Sequence, residues 1–330
     1  MSAGAAPRIL LVGAGAVGQV YGRHLQLGGA EVSFLVRPQY AATVRRGFDL
    51  FPLRKRGRRD AVRFQDFTVL TETAAVAAQR WDAVLLCVPS PALHQGSWLA
   101  ELCAASGDAS IVTLQPGLTD HARVCAVAGA ERVVAGMIGL MAYTAPLPGE
   151  AGEAGAGPGT AYWFPPLGKC PFSGAPARVR PLVALLRAGG FPAACARDVP
   201  AQLAFGVALL DPHMVALEVA GFSLRGLRAD RALLARAAAA SREATMITAA
   251  FRGVRAPRLR GALERAGVRV LLAMLPRLAP LDVEGFFRAH YTKVAGQTRA
   301  LLATYRAEAA ARGLPTPALT ALSAALEARS

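Results

Sequence analysis

The strongest constraint on the fold is the stretch from Arg8 to Gly18, Arg-Ile-Leu-Leu-Val-Gly-Ala-Gly-Ala-Val-Gly. Ile9 to Val12 is a short, continuous apolar run, the pattern of a strand buried on both faces of a parallel sheet. Gly13, Gly15 and Gly18 follow, and a helical pattern runs from Ala16 through Leu27. Each glycine has its own task. Gly13 turns the chain tightly off the strand, Gly15 lets backbone amides approach a pyrophosphate, and Gly18 lets the helix lie close on the sheet. The helix N-terminus at Ala16, Val17 and Gly18 then faces the phosphates with its positive end. A second strand at Glu31 to Val36 completes a βαβ unit, so the N-terminal part is expected to be a Rossmann dinucleotide-binding domain.

The residue after that second strand selects the dinucleotide. An Asp or Glu there would hold the ribose hydroxyls of NAD, but this chain has Arg37 followed by Pro38. A guanidinium pairs bidentately with phosphate and offers no acceptor to a hydroxyl, so Arg37 points to NADP.

Further strands follow in order. Trp81 to Val88 is a continuous apolar run that ends at Pro89-Ser90-Pro91, and Ser110 to Leu114 ends in Gln115-Pro116-Gly117-Leu118. Ligands of open α/β sheets bind at the carboxyl ends of the strands, which assigns Pro89, Gln115 and Pro116 to the nucleotide site. Arg132 to Met137 continues the sheet. Phe48 to Phe51 and Val62 to Phe64 read as a hairpin around the basic run Arg54 to Arg59. Pro146 to Pro158 reads as a flexible loop, Tyr162 to Phe164 and Phe172 as short closing strands, and Arg178 to Ala188 as the last helix of this part. From Asp198 onward strand signals vanish. Helical patterns cover Pro200 to Val219, Asp230 to Phe251, Arg258 to Leu275 and one long stretch from near Val283 to before Gly313, with a short helix after Pro315 and Pro317. The expected layout is α/β, a nucleotide-binding domain over 1–197 and an all-helical substrate and dimerisation domain over 198–330, with the substrate in the cleft between them.

Composition narrows the partners. The net charge of +15 would attract nucleic acid without sequence specificity. Only three of the 37 basic residues are Lys, however, and the wealth of Arg, Ala and Gly fits a GC-rich coding sequence better than a selected basic face. No nucleic-acid partner is expected. Cysteines 87, 103, 125, 170 and 195 are scattered and lack CxxC spacing, so neither a disulfide framework nor a metal site is expected. The nucleotide-binding strand begins too early for a signal peptide, and no uninterrupted apolar run reaches the ~20 residues of a membrane helix. A cytoplasmic protein with no membrane partner is the expectation.

With these residues in view, the chain resembles the ketopantoate reductase (2-dehydropantoate 2-reductase) family. The likeness rests on Gly13-Ala14-Gly15-Ala16-Val17-Gly18, on Arg37, on Val112-Thr-Leu-Gln-x-Gly-Leu118, and on a helical second half ending in Gly313-Leu-Pro-Thr-Pro317. The resemblance implies an NADPH-dependent reductase of a 2-oxo acid, with a Rossmann domain and a helical domain that often dimerises. It also implies polar groups that this chain lacks. The family's Asn in Leu-Gln-Asn-Gly is Pro116 here. The family's Lys on the first helix of the second domain, with Asn four and eight residues later, falls on Gly206, Leu210 and Met214. The Glu of the late helix falls on Gln297 and the pocket Ser on Gly285.

Other residues could take over the chemistry. His290, Lys293 and Gln297 are spaced i, i+3 and i+7, one stripe of a single helix. Lys293 is the only Lys after Asp198, and a Lys, unlike an Arg, can be tuned to give up a proton near neutral pH. It is the expected proton donor or substrate anchor, with His290 and Gln297 beside it. Asp211, His213 and Glu218 lie near the vacated Lys and Asn positions. His213, Leu210 and Met214 are assigned to the substrate, and with Phe286 and Phe287 they suggest a larger or less polar molecule than ketopantoate. His24 and His121 read as structural or surface residues. The expected activity is NADPH-dependent hydride transfer to a carbonyl or imine carbon of a small molecule. The alternative is a non-catalytic NADP-binding sensor or scaffold.

Overall fold

The computed structural model describes residues 5–54, 60–148, 158–166, 168–256 and 261–329, with the side chains of 261–266 left aside. The chain divides into two compact units, Met1–Pro200 and Ala201–Ser330.

The first unit holds the strands β1 (Arg8–Val12), β2 (Glu31–Leu35), β3 (Phe48–Pro52), β4 (Val62–Phe64), β5 (Thr68–Leu70), β6 (Ala83–Leu86), β7 (Ser110–Thr113), β8 (Val133–Gly136), β9 (Met141–Ala145), β10 (Gly159–Trp163), β11 (Cys170–Ser173) and β12 (Ala193–Cys195). Its helices are α1 (Ala16–Leu27), α2 (Pro38–Arg45), α3 (Thr73–Ala77), α4 (Ser90–Leu93), α5 (Trp98–Ala105), α6 (Asp120–Ala128) and α7 (Pro176–Ala188).

Eight strands form the main sheet in the order β12-β11-β8-β7-β6-β1-β2-β5. The six from β8 to β5 are mutually parallel, and β11, with β12 alongside it, runs against β8. The central strands β6, β7 and β8 are buried at every position, which is why β6 reads as an unbroken apolar run, while β7 also buries Ser110 and Thr113. One core cluster lies on the α1 and α7 side, around Tyr21, Leu25, Phe34, Phe172, Leu186 and Phe191. The other includes Leu10, Trp81, Val84, Leu99, Ile111 and Val124. Strand order reverses between β1 and β6, the position where such sheets open a crevice for a ligand.

The hairpin expected at Phe48–Phe64 forms, with β3 and β4 antiparallel, but it belongs to a second sheet ordered β4-β3-β10-β9. The Tyr162–Phe164 strand joins that sheet too, as β10, parallel to β3 and antiparallel to β9. Residues 55–59 of the basic turn and 149–157 of the Pro146–Pro158 loop lie outside the described residues.

The second unit is helical: α8 (Val199–Val219, crossing the boundary), α9 (Leu224–Ala229), α10 (Arg231–Phe251), α11 (Gly261–Leu278), α12 (Val283–Lys293), α13 (Ala295–Ala310) and α14 (Pro317–Glu327). Asp230 caps α10, accepting from the Leu233 amide at 2.8 Å. Glu243 of α10 accepts from the amides of Ala318 and Leu319 at 2.9 and 2.8 Å and so caps α14. One expectation needs correction here. The long helix from Val283 is two, because the helical backbone breaks at Val294 (φ −105°, ψ 18°) and the Gln297 amide bonds the Val294 carbonyl at 2.8 Å in a tight three-residue turn. A β-branched residue followed by Gly296 weakens the helix there, while the apolar periodicity on either side hides the break. By length and composition α8 is the one helix among the described residues long and apolar enough to cross a membrane, a test that the core helix of a soluble protein also passes; Gln202, Asp211, His213 and Glu218 interrupt its apolar run.

Candidate nucleotide site

The glycine turn is built as its sequence suggests. Gly13 has φ +96°, and a Cβ there would stand 2.9 Å from the Cys87 carbonyl oxygen. A Cβ on Gly18 would be 2.4 Å from the Gly13 oxygen. Both contacts are too short for any side chain, so β1, the turn, α1 and the end of β6 close on one another only with glycine. Gly15 differs: a Cβ there would meet nothing within 4 Å, so the turn opens outward at that residue. No side chain caps α1, which leaves the first-turn amides of Ala16, Val17 and Gly18 without helical partners and aimed at that space. The turn is held from behind. The Gly13 amide bonds the Leu35 carbonyl at 3.0 Å, Gln19 Nε2 donates to the Ala14 carbonyl at 2.8 Å, and the Thr160 hydroxyl donates to Gln19 Oε1 at 2.7 Å.

Arg37 precedes α2 at the carboxyl end of β2. It is exposed, its guanidinium lies 5.1 Å from the Tyr40 ring centroid, and Nη2 donates to the Tyr40 hydroxyl at 3.2 Å. Pro89, at the start of α4, is exposed as well.

Gln115 has a different task from the one assigned by its position. Its amide nitrogen donates to the carbonyls of Leu86 (2.7 Å) and Val88 (2.8 Å), and its oxygen accepts from the Thr113 hydroxyl (2.9 Å) and the Leu114 amide (3.0 Å). Both donors and both lone pairs are used, so the side chain ties the end of β6 to the end of β7 and has nothing left to offer a nucleotide. The sequence missed a neighbouring pair, His94 and Asp120. Asp120 Oδ1 lies 2.8 Å from His94 Nε2, and Oδ2 accepts the Gly117 amide at 2.8 Å. A His that follows α4 and an Asp that opens α6, 26 residues apart, carry no spacing signal.

In the helical unit the expected site residues are dispersed. His213 is 2% exposed. Its Nδ1 donates to the Leu209 carbonyl at 3.0 Å, with the Ser241 hydroxyl 3.2 Å away, and burial lowers its pKa. It is turned into the structure, where Leu209 and Ser241 receive it, and not out toward a substrate. Leu210 is exposed and Met214 half-buried. A Cβ on Gly206 would meet nothing within 4 Å. His290 and Lys293 are exposed on α12, whereas Gln297 is on α13 beyond the break, so the three do not form one continuous stripe. His290 stacks on Phe286 at 5.6 Å, and although its edge reaches solvent, the packing around it and then Lys293 lower its pKa.

Asp211 and Glu218 carry the most perturbed acid pair. Each has a buried carboxylate oxygen with no hydrogen-bond partner among the described residues. Burial, reinforced by Glu218, pushes the Asp211 carboxyl up to about 7. Burial likewise raises Glu218, against the pull of Arg299 and Arg329.

Other polar residues are structural. His24 Nδ1 bonds the Gly189 carbonyl at 2.7 Å, and its ring meets Tyr162, Phe164 and Phe191 edge-on. Burial pushes the Cys87 thiol up to about 12, so it packs as a small apolar group against the glycine turn. A cavity of about 520 Å³ lies at the amino ends of β1, β6 and β7, beside Asp82, Asp108 and Arg178. That is the sheet edge opposite the glycine turn, and the cavity is lined by none of the expected site residues. Among the described residues no group of three or more His, Cys, Asp or Glu could hold a metal ion.

A sequence model of the family described as "Ketopantoate reductase PanE/ApbA" matches residues 9–162, from β1 to β10. Over those residues, just under half of the chain, the sequence is similar to the ketopantoate reductase family. That family is one of oxidoreductases, and the match supports the same coarse class for this chain. No curated protein matches the chain by sequence. Among solved structures, 2-dehydropantoate 2-reductase from Geobacter metallireducens GS-15 is similar with a TM-score of 0.70 at 20% identity, over 98% of this chain and 100% of that one. The enzyme of the same name from Porphyromonas gingivalis W83 gives 0.70 at 16% identity, over 96% and 98%. D-mandelate dehydrogenase, in a ternary structure with NADH and anilino(oxo)acetate, gives 0.73 at 14% identity, over 97% of each chain. At such identities these likenesses speak for the fold: a Rossmann-type α/β domain followed by a helical one, as the sequence suggests.

Proposed function

We propose that this protein is an NADPH-dependent oxidoreductase that reduces a carbonyl or imine carbon of a small molecule other than ketopantoate. The observation that carries the reading is the open glycine turn at the switch point of the parallel sheet. The uncapped amides of Ala16, Val17 and Gly18 fit a pyrophosphate, and the space beside Gly15 is what a Cβ would otherwise take. Arg37, stacked on Tyr40, would hold the 2′-phosphate, and the loops at Pro89 and Pro116 would border the nicotinamide. When bound, the nucleotide supplies a hydride. The chain's own residues must bind the substrate, exclude water and supply a proton.

Ketopantoate is set aside because Gly206, Leu210, Met214 and Pro116 stand where the family has Lys and Asn. Lys293 has the chemistry to anchor an anionic substrate, and we retain it in that role with His290 and Gln297 nearby in sequence. A homodimer through the helical unit belongs to the same reading. It is supported by the exposed apolar residues Val270, Leu271, Met274 and Leu278 on α11, which sedimentation would test. Calorimetric titration tests the cofactor. NADPH should bind more tightly than NADH, and Arg37→Ala should weaken NADPH by about ten- to a hundredfold, the loss of one or two charge-assisted hydrogen bonds, while leaving NADH nearly unchanged. Equal affinities in the wild type overturn the assignment.

The same missing Lys and Asn residues favour a second reading, a non-catalytic NADP-binding sensor or scaffold. Tight NADPH binding with no oxidation of NADPH by any of a panel of 2-oxo acids, aldehydes and imines would establish it.

A further inference from the structure

His94 and Asp120 form a pair that neither the family's missing Lys nor the expected helical residues account for. The Asp120 side chain is 2% exposed, while the His94 side chain is 44% exposed. The pair thus runs from the interior of the nucleotide-binding unit out to its surface, with the charge inside and the imidazole outside. The surroundings are shaped for it. A Cβ on Gly117 would stand 2.4 Å from Asp120 Oδ2, so the carboxylate fits only beside a glycine. Asp120 is the first residue of α6, where the helix dipole favours a negative charge, and it accepts the Gly117 amide as well as His94. His94 follows α4, whose Ala92 carbonyl is held by the Trp98 indole at 2.8 Å. The two loops that carry the pair leave β6 and β7, whose ends Gln115 ties together, and the β6 end touches the glycine turn through Cys87 and Val88. Among the described charged groups, Asp120 is the one bonded to the imidazole. His121, next on α6, contacts Cys125, and Glu101 is bonded by Ser97.

We propose that His94, oriented and charge-compensated by Asp120, is the proton donor of this site, in place of the Lys that α8 lacks. The inference rests on the reading of the chain as a nicotinamide-dependent reductase. With Nε2–H held on Asp120, the second nitrogen, Nδ1, is the one free to exchange a proton. The reduced nicotinamide dinucleotide supplies the hydride whose electron pair makes the new C–H bond, and the carbonyl π pair moves onto oxygen. The Nδ1–H bond of the imidazolium then breaks as an O–H bond forms on the substrate. His94 is left neutral, still bonded to Asp120, and regains its proton from solvent through its exposed edge. In the direction of alcohol oxidation Nδ1 accepts the same proton.

The five histidines of the chain make this testable by long-range ¹H–¹⁵N spectra of the intact protein, with His94 assigned from His94→Gln. Neutral His94 should be the Nε2–H tautomer. Titrating NADPH, then oxamate as a 2-oxo-acid mimic, should move the His94 signals and leave those of buried His24 and His213 in place. With phenylglyoxylate and ketopantoate as probe substrates, His94→Gln should keep NADPH affinity and lose about 10²–10⁴-fold of whatever turnover the wild type shows. NADPH binding by calorimetry with unmoved His94 signals, or undiminished turnover in His94→Gln, overturns the proposal while leaving the nucleotide reading intact. Absence of NADPH binding overturns the nucleotide reading and the proposal together.

Discussion

Replacing Gln115 by Leu removes one buried side chain's four hydrogen bonds while keeping much of its volume. The Leu86 and Val88 carbonyls lose a donor, and the Thr113 hydroxyl and Leu114 amide lose an acceptor. At about 1 kcal/mol net for each bond, offset in part by the added apolar burial of Leu, the first unit should lose about 3 kcal/mol. That is a large share of the 5–15 kcal/mol typical of a domain. Trp81, Trp98 and Trp163 are the chain's three tryptophans and all lie in the first unit, so tryptophan fluorescence during urea unfolding reports on that unit alone. With a slope of about 2–3 kcal/mol per molar urea, the midpoint should fall by about 1 M without a change of slope. Gln115→Glu sharpens the test. Its carboxylate still accepts from Thr113 and Leu114 but faces two carbonyl oxygens, which raises its pKa in the folded state. The variant should then approach wild-type stability below pH ~4, where it is protonated both folded and unfolded, and lose stability as pH rises through the raised value. A Gln115→Leu protein within about 0.5 kcal/mol of wild type but weakened in NADPH binding would refute this account and return the side chain to the nucleotide.

Two further perturbations address the helical unit. Gly206→Lys meets open space at its Cβ and should stabilise α8 by up to about 1 kcal/mol through helix propensity; if the family alignment holds, ketopantoate-dependent NADPH oxidation should also increase, and an unchanged rate would show that position 206 is not the family's Lys position. Asp211, held near 7 by burial and by Glu218, binds a proton in the folded state between pH ~4 and ~7 that the unfolded chain releases. Its contribution to stability is therefore complete below pH ~4 and declines by a few kcal/mol up to ~7. Asp211→Asn should flatten that part of the pH profile measured by helical circular dichroism, and an unchanged profile would refute it.

What the sequence revealed followed from how locally each feature is encoded. β1, the glycine turn and α1 are contiguous, and their glycines are dictated by contacts within a few residues or with the next strand, so they could be read directly. The buried strand β6 announced itself by having no polar face. The second sheet did not, because the parallel pairing of β3 with β10 joins residues more than a hundred positions apart. The break at Val294 was hidden by an apolar pattern that keeps its phase through a single tight turn. Gln115 was placed correctly at the sheet's carboxyl edge, but only its four partners reveal that it acts as a tie. The His94–Asp120 pair depends on two loops meeting, and His213 faces inward because Ser241 and the Leu209 carbonyl receive it; neither fact has a sequence signature.

The antiparallel strand β11 has a consequence for how the first unit is kept from associating with itself. β8 is buried at all four of its positions and pairs with β7 on one side. Its other side is satisfied by β11, which arrives only after residue 169, beyond the region matched by the family model. A chain ending at residue 162 would hold the whole glycine turn yet leave an apolar strand with a free row of amides and carbonyls, a template for pairing with another molecule. Residues 170–195 thus act as a covering strip, and β12, whose last residue is exposed, becomes the sheet's outer margin in place of β8. The smallest unit that could remain monomeric while binding a nucleotide is set by where that margin closes and extends well past the last residue of the nucleotide motif.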